Sequence, residues 1–344
     1  MKIPIIGITM GDVSGIGPEI IIKTLRDMWW HGVCIPVLFG SSEIFDYTAQ
    51  LLKDDFRYTV LTDIKRDTVC KGNVYLFRTG SINPEDVVCG KPDFQWGKAA
   101  FTAVECAVRE AQSGKIDAIV TAPVCKEALD MAGYTFLGHT EFLAFLTKTT
   151  SYRMMFVGGG LRVILATIHV PLKKIFSLLD EKTICETVQH AHRATRLLGV
   201  EKPTIAVCGL NPHAGENSVL GTEERDIVTP AILKARSQGI DVLGPLPSDT
   251  VFYRAQNNEF DCVVALYHDQ GLIPFKMIAF DEGVNLTVGL PFIRTSPDHG
   301  TAFSIAGKGI ADPRSITEAI KLAVHMFDRK GVRNNNIPNL EAQI

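Results

Sequence analysis

The sequence predicts an α/β protein with a mostly parallel sheet. Strand-like and helix-like segments alternate along most of its 344 residues. Three strand-like runs, Val163–Ile168, Thr204–Cys208 and Cys262–Tyr267, are short and largely apolar, as in strands buried on both faces of a parallel sheet. At this length the chain can form two α/β lobes or one large one.

The N-terminal part begins with a strand, a glycine-rich turn and a helix. Ile5–Met10 is apolar, Gly11–Gly17 follows it, and Pro18 suits the first turn of a helix that runs to about Met28. The turn is spaced G-x-x-x-G-x-G, unlike the dinucleotide fingerprint G-x-G-x-x-G, so a structural turn and an anion-binding loop both remain open. Further strands are predicted at Val37–Gly40, Asn73–Phe77 and Ala118–Thr121, and a helix at Trp96–Gln112.

Glycine-rich turns and segments of helical periodicity predict further strands and helices in the second half of the chain. Two strands are expected around Gly158–Gly160, and Gly307–Pro313 is rich in turn formers. Thr140 precedes a helical segment and is a predicted N-cap, with Glu141 in the first turn. Asp249 follows a proline-rich turn and is also a predicted cap. Helices are predicted at Glu141–Leu146, Glu181–Leu198, Thr222–Ser237 and Ser315–Phe327.

The composition excludes several classes of protein. Lys and Arg number 35 against 38 Asp and Glu, a formal charge of −3, so nothing favours nucleic acid or an anionic membrane as a partner. No apolar stretch approaches the roughly 18 residues that span a bilayer. The first residues lack the apolar core of a signal peptide. The eight cysteines form no CxxC pair, which predicts reduced thiols and a cytoplasmic location.

Three of the nine histidines lie where an apolar run gives way to a turn. They are His169, His213 and His268. The carboxyl ends of parallel strands form one edge of a sheet, so these side chains could converge there. Imidazole binds zinc and similar ions, and three protein ligands leave a position open for substrate. The residues alone leave two hypotheses open, a catalytic metal site and ordinary polar loop histidines.

Other polar residues are suited to an anionic ligand. His139 and Thr140 lie at the start of a predicted helix, where the backbone favours an anion. Lys276 and Arg294 carry the positive charge that a phosphate or carboxylate requires. Each of these residues alone could equally be a structural or solvated side chain.

An ordered set of motifs carries a family resemblance. From Gly7 to about Lys308 the chain contains, in order, GITMGDVSGIGPE, TAPVCKEAL, GHTEFLA, IHVPL, NPHAGE, YHDQGLIPFK and GVNLTVGLPFIRTSPDHGTAF. Together they resemble the 4-hydroxythreonine-4-phosphate dehydrogenase family of the pyridoxal phosphate pathway. One departure is GDVSGIGPE, where many members have GDPAGIGPE.

The resemblance implies an oxidoreductase with a fold like that of isocitrate and isopropylmalate dehydrogenases. That fold has two α/β/α lobes with a cleft between them, and the expected lobes are 1–135 plus 305–344, and 136–304. The resemblance also implies a homodimer, with NAD or NADP as cofactor. A divalent ion, zinc or else magnesium, manganese or cobalt, would be bound by His169, His213 and His268, drawn from both subunits of an active site that the dimer shares.

The resemblance further implies the substrate and the reaction. A phosphorylated hydroxy acid would be oxidised at its C3 hydroxyl, hydride would pass to the nicotinamide, and the 3-keto acid would lose CO2 to give 3-amino-2-oxopropyl phosphate. Asp249 and Asp269 are candidates for proton transfer or for support of the histidines. The implied substrate contacts are His139, Thr140, Lys276, Asn285 and Arg294.

The substrate that the resemblance implies first is 4-phosphooxy-L-threonine, and three alternative functions remain open. A relative that oxidises D-threonate or D-erythronate 4-phosphate would share the metal and phosphate sites. An aromatic cis-diol dehydrogenase is disfavoured because the cationic phosphate contacts are present. A non-catalytic metal- or phosphate-binding protein would not need so rich a set of polar residues.

Overall fold

The structure is a computed structural model that describes residues 2–136 and 138–334. The strands are β1 (Ile5–Thr9), β2 (Ile35–Gly40), β3 (Thr59–Leu61), β4 (Tyr75–Arg78), β5 (Ala118–Thr121), β6 (Arg153–Gly158), β7 (Leu161–Leu165), β8 (Ile205–Cys208), β9 (Val242–Leu246), β10 (Cys262–Ala265), β11 (Val284–Val288) and β12 (Ile293–Pro297). The α-helices are α1 (Gly17–Arg26), α2 (Ser42–Leu52), α3 (Phe94–Gln112), α4 (Lys126–Met131), α5 (His139–Thr147), α6 (Leu172–Leu178), α7 (Glu181–Leu197), α8 (Thr229–Ser237), α9 (Ser248–Gln256), α10 (His268–Ala279) and α11 (Arg314–Asn334).

The described residues divide into two units. Unit 1 comprises residues 2–150, apart from 137, and Leu290–Asp328; unit 2 comprises Ser151–Gly289 and residues 329–334. These bounds differ from the predicted lobes 1–135 plus 305–344, and 136–304. The boundaries near 150 and 290 fall in the short connections between α5 and β6 and between β11 and β12. These connections have no linker-like composition, so the sequence does not mark them. Residues 335–344 of the predicted first lobe lie outside the described residues.

Unit 1 contains a parallel sheet with the strand order β3-β4-β2-β1-β5-β12. Helix α3 packs on it with a stripe of small residues that includes Ala103 and Ala107, both fully buried. These alanines belong to the same hydrophobic cluster as Phe39 and Ile119, which are also fully buried. The carboxyl ends of β1 and β5 lie side by side, because Thr9 pairs with Thr121.

Unit 2 contains a mixed sheet with the order β11-β6-β7-β10-β8-β9. Strands β7, β10, β8 and β9 are parallel neighbours, whereas β6 is antiparallel to both β11 and β7. The core includes Val163 of β7, Val263 of β10 and Phe275 of α10, all fully buried. The prediction of an α/β fold with a mostly parallel sheet is confirmed.

The strands that were predicted are present, most of them with shifted ends, whereas two predicted helix caps are wrong. Ala118–Thr121 coincides with β5, and two strands flank Gly158–Gly160. The predicted cap Thr140 is wrong, because extended backbone at Gly138 lets α5 begin at His139. The predicted cap Asp249 is also wrong, because α9 begins at Ser248 after Pro247 and Asp249 lies in its first turn.

The helix predicted at Thr222–Ser237 is interrupted. Glu224–Val228 forms a π-helical turn, and α8 begins only at Thr229. All eight cysteines are free thiols, as predicted. None of the described helices has the length and apolar character required to cross a bilayer.

Gly97 in α3 provides a test of the packing between α3 and α4. A Cβ at this position would collide with the carbonyl oxygen of Ala128. Because backbone atoms cannot yield as a side chain can, we expect Gly97→Ala to lower the free energy of unfolding by about 1–3 kcal/mol. Gly80→Ala is the matched control, since a Cβ there meets no atom of the described residues within 4 Å. Equal urea midpoints for the two variants would contradict this account.

His190 in α7 provides a test of pH dependence. Its Nε2 lies 2.9 Å from Oγ of Ser151. Burial, with the charges of Arg193 and Arg153, lowers the pKa of His190 to about 4. An unfolded histidine titrates near pH 6.5, so between pH 6.5 and 4 the unfolded chain binds a proton that the folded chain does not. Stability therefore falls as the pH falls through this window.

We expect this one group to account for roughly 3 kcal/mol of the stability lost between pH 6.5 and 4. Urea unfolding of His190→Gln across this range should show a shallower pH slope than the wild type. The control is His325→Gln, which makes the same substitution at an exposed histidine. A His190→Gln slope as steep as that of the control would refute the assignment.

Candidate functional site

Two of the three predicted metal ligands lie together in unit 2. Strands β7 and β10 are adjacent and parallel, so the segments that follow them leave the same edge of the sheet. His169 lies in the loop after β7, and His268 is the first residue of α10. Their ring centroids are 5.8 Å apart. Two imidazoles that share a tetrahedral ion, with N–metal bonds of about 2.0–2.1 Å, have ring centres roughly 5–6 Å apart, so this pair fits a shared divalent ion.

Asp269 orients the ring of His268. Its Oδ1 lies 2.7 Å from Nδ1 of His268. When Nδ1 donates a hydrogen bond to this carboxylate, Nε2 keeps its lone pair for a metal. Of the two roles predicted for Asp269, this contact favours support of the histidine over proton transfer.

His213 occupies a left-handed turn after β8. The backbone φ angles from His213 to Ser218 are 54°, 53°, 79°, 42°, 55° and 72°, and only Gly215 among these residues is glycine. Left-handed backbone costs other residues roughly 1–2 kcal/mol each. The surrounding structure must therefore stabilise this turn, and strain of this kind is concentrated at functional sites.

The structure does not bring His213 into a group with His169 and His268. Within residues 2–136 and 138–334, no three His, Cys, Asp or Glu side chains form a group that could bind a metal ion. His213 and Glu216, the two notable residues of NPHAGE, are both exposed.

The remaining predicted residues of unit 2 are dispersed. Lys276 lies in the last turn of α10, with Nζ 6.0 Å from the ring centroid of Phe280. Asn285 lies in β11, and its buried Oδ1 has no hydrogen-bond partner among the described residues. A buried amide oxygen of this kind is costly unless a ligand or water satisfies it. Asp249 is exposed in the first turn of α9 and, among the described residues, makes no hydrogen bond or ion pair with a histidine.

Unit 1 contains a buried cation next to the predicted anion site. Arg294 lies in β12 beside β5 and is 1% exposed. Its Nη2 donates a hydrogen bond of 2.6 Å to Oγ1 of Thr121. Burial lowers the pKa of the Arg294 guanidinium to about 9, although the charge of Glu141 opposes this shift. A buried guanidinium of this kind is a strong site for an anionic group of a ligand.

His139 provides a hydrogen-bonding group near this cation. Burial, followed by the charge of Arg294, lowers the pKa of His139 well below its ordinary value. The ring is therefore neutral near pH 7 and offers a hydrogen bond rather than a charge. Its Nε2 is buried and has no hydrogen-bond partner within the described part of the chain. Thr140 is also buried, in the first turn of α5.

The glycine-rich turn Gly11–Gly17 has a structural role in the described chain. A Cβ at Gly11 would collide with the carbonyl oxygen of Pro123, and one at Gly17 with that of Met10. The sequence hypotheses missed Asp12 in this turn and also Thr121. Asp12 is 1% exposed and accepts hydrogen bonds from the backbone N–H and the hydroxyl of Ser14. The only sequence signal for either residue was its position after a strand or at a strand's end.

A cavity of about 480 Å³ lies at the carboxyl ends of β1, β2 and β4. Its volume is typical of sites for small ligands. Its lining includes Met10, Ser41, Ser81, Trp96 and Lys98.

Comparison with known proteins connects these features to one family. The family model described as pyridoxal phosphate biosynthetic protein PdxA matches residues 32–323. A 4-hydroxythreonine-4-phosphate dehydrogenase from Desulforapulum autotrophicum is 44% identical over 321 residues, covering 93% of this chain and 94% of the relative. A D-threonate 4-phosphate dehydrogenase from Cupriavidus necator is 44% identical over 329 residues, covering 95% and 98%.

A solved structure agrees with this comparison. The 1.25 Å crystal structure of 4-hydroxythreonine-4-phosphate dehydrogenase from Klebsiella pneumoniae has a TM-score of 0.85 and 41% identity to this chain, and the match covers 94% of this chain and 98% of the other. The family match, the sequence identity and the fold agree over nearly the whole length. The chain therefore belongs to the PdxA family of pyridoxal phosphate biosynthetic proteins.

Proposed function

We propose that this chain is an NAD(P)-dependent and divalent-metal-dependent dehydrogenase that acts on 4-phosphooxy-L-threonine. It oxidises the C3 hydroxyl to a 3-keto acid, which loses CO2 to give 3-amino-2-oxopropyl phosphate for pyridoxal 5'-phosphate biosynthesis. The observation that carries this proposal is the pair of His169 and His268, supported by Asp269, in a member of the PdxA family. The free cysteines are compatible with a cytoplasmic location, which is part of the proposal.

The histidines of unit 2 bind the metal in this proposal. His169 and His268 supply two imidazole nitrogens, and His213 supplies the third. Asp269 keeps Nε2 of His268 available for the metal. A divalent ion, commonly zinc in this family, would polarise the reacting hydroxyl as a Lewis acid. Asp249 is proposed as a proton acceptor. It is exposed, and no contact within the described chain supports this role in the way that the hydrogen bond to His268 supports the role of Asp269.

The buried polar residues recognise the anionic and hydroxyl groups of the substrate. Arg294 is already desolvated, so it loses little hydration when it pairs with a phosphate or carboxylate. His139 remains neutral and offers a hydrogen bond rather than charge. Thr140, Lys276 and Asn285 complete the proposed substrate contacts.

The proposal includes a homodimer with a shared active site. Helix α10 exposes an apolar stripe at helical spacing, with Ile273 61%, Met277 83% and Phe280 just beyond its end 74% exposed. This stripe follows His268 along the same segment and is suited to contact with a second copy of the chain. A partner subunit would also supply the third metal ligand that the described residues of one chain do not bring together.

D-threonate or D-erythronate 4-phosphate is the second candidate substrate. The observation that favours it is the Cupriavidus necator relative, which is as similar to this chain as the relative named for 4-hydroxythreonine 4-phosphate. Both substrates present a phosphate and a secondary hydroxyl to the same polar residues. They differ in an amino or hydroxyl group at C2.

A comparison of turnover decides between the substrates. We expect purified protein with a divalent ion and NAD⁺ or NADP⁺ to reduce the cofactor with 4-phosphooxy-L-threonine at the higher kcat/KM. Absorbance of the reduced nicotinamide measures this directly. A higher kcat/KM with D-threonate or D-erythronate 4-phosphate would support the second candidate. No reduction with any of the three substrates would favour a non-catalytic metal- or phosphate-binding protein.

Removal of single histidines tests the metal site. We expect His169→Ala, His213→Ala and His268→Ala each to abolish turnover, because three ligands bind the ion. Metal analysis after dialysis should show less bound metal in each variant, while circular dichroism remains that of the wild type. The control is His31→Ala, which alters an exposed histidine outside the proposed site in unit 1. Full metal content and turnover in any of the three variants would exclude that residue as a ligand.

A further inference from the structure

The left-handed turn from His213 to Ser218 needs a partner that stabilises it, and a buried carboxylate lies against it. Glu224 is 5% exposed and follows the turn by six residues. Its Oε1 accepts hydrogen bonds from the backbone N–H groups of Leu210 at 2.8 Å and Asn211 at 2.7 Å. Its Oε2 accepts a third, of 2.9 Å, from the side-chain amide of Asn211. The carboxylate thus fixes the segment that enters the turn.

The glycines around this carboxylate show how closely the turn is packed. A Cβ at Gly215, inside the turn, would lie 2.6 Å from Oε2 of Glu224. A Cβ at Gly209 would lie 2.7 Å from Cα of Ala214 and 3.4 Å from Oε1 of Glu224. Neither contact leaves room for a larger residue. The left-handed turn therefore packs directly against the Glu224 carboxylate at Gly215.

The backbone that carries Glu224 is also unusual. Glu224 is the first residue of the π-helical turn Glu224–Val228, in which the N–H of Thr229 bonds to the carbonyl oxygen of Glu224. Single π-helical turns of this kind are rare and are frequently found at functional sites. Two uncommon backbone conformations thus meet at one buried side chain, and the turn beside it carries His213, the proposed metal ligand.

We propose that Glu224 is a positioning residue for His213, because its carboxylate holds the left-handed turn that presents this imidazole to the metal. The part of this inference that concerns a metal rests on the proposed function. The order that Glu224 imposes on the turn does not depend on the metal. The two parts can therefore be measured separately.

The experiment compares Glu224→Gln with the wild type and with Glu223→Gln. Glutamine has nearly the same volume, but its amide NH2 replaces one acceptor and would face the donor on Asn211. Glu223 accepts a hydrogen bond of 2.8 Å from the same Asn211 amide, whereas the backbone N–H groups of Leu210 and Asn211 bond to Glu224, so Glu223 is the matched control. All three proteins are studied as the full chain.

The first measurement is amide hydrogen exchange of the metal-free proteins. We expect exchange in residues 209–220 to be about 10-fold faster in Glu224→Gln and to change less than threefold in Glu223→Gln. The second measurement is titration with Co²⁺, whose visible spectrum reports the number and geometry of its ligands. We expect Glu224→Gln to bind Co²⁺ about 10- to 100-fold more weakly and with an altered spectrum, as is typical when a residue that orients a ligand is lost.

The outcomes separate this inference from the proposed function. A wild type that binds no Co²⁺ would refute the metal-dependent function, and with it the role of Glu224 toward a metal. A wild type that binds Co²⁺, with the same affinity, spectrum and exchange in Glu224→Gln, would overturn the positioning role alone. If Glu224→Gln does not fold, Asn211→Ala decides, since it removes one of the three hydrogen bonds. Unchanged exchange and Co²⁺ binding in Asn211→Ala would then count against the inference.

Discussion

The parallel pairing of β7 with β10 is the constraint on which the candidate metal site depends. Parallel neighbours end at the same edge of a sheet, so residues more than ninety positions apart in sequence are brought together there. His169 and His268 follow these two strands, and their rings lie at a separation suited to a shared ion. The apolar side chains that bury both strands thus determine the position of the imidazoles. The metal chemistry proposed for the chain is a consequence of sheet packing.

In unit 1 the packing of the sheet likewise determines the environment of a charged side chain. Arg294 lies on β12 with its side chain buried, so desolvation works against its charge. Thr121, at the end of the neighbouring strand, provides one acceptor. A bound anion offsets the desolvation cost of the buried cation, so a site of this kind favours anionic ligands. The same environment keeps His139 neutral, which divides charge and hydrogen bonding between two residues.

The sequence predicted the parts of the fold and site that depend on pattern. Apolar runs located β5 and the strands before His169 and His268, because burial on both faces requires such runs. Strands β11 and β12 were not predicted, since Asn285 and Arg294 interrupt their apolar character. The burial of Arg294 could not be foreseen from composition. The left-handed backbone at His213 was equally hidden, because Ala214 and Glu216 are residue types that do not indicate positive φ.

The left-handed turn also bears on the stability of the molecule. Glycine adopts this backbone region without steric penalty, yet five of the six positions from His213 to Ser218 carry side chains. Exchange of Ala214 for glycine would relieve strain there and cost only the extra freedom of the unfolded chain. The segment is therefore not at its energetic optimum. Directed evolution for heat resistance would be expected to find improvements in this turn, at the expense of the rigidity with which it displays its imidazole.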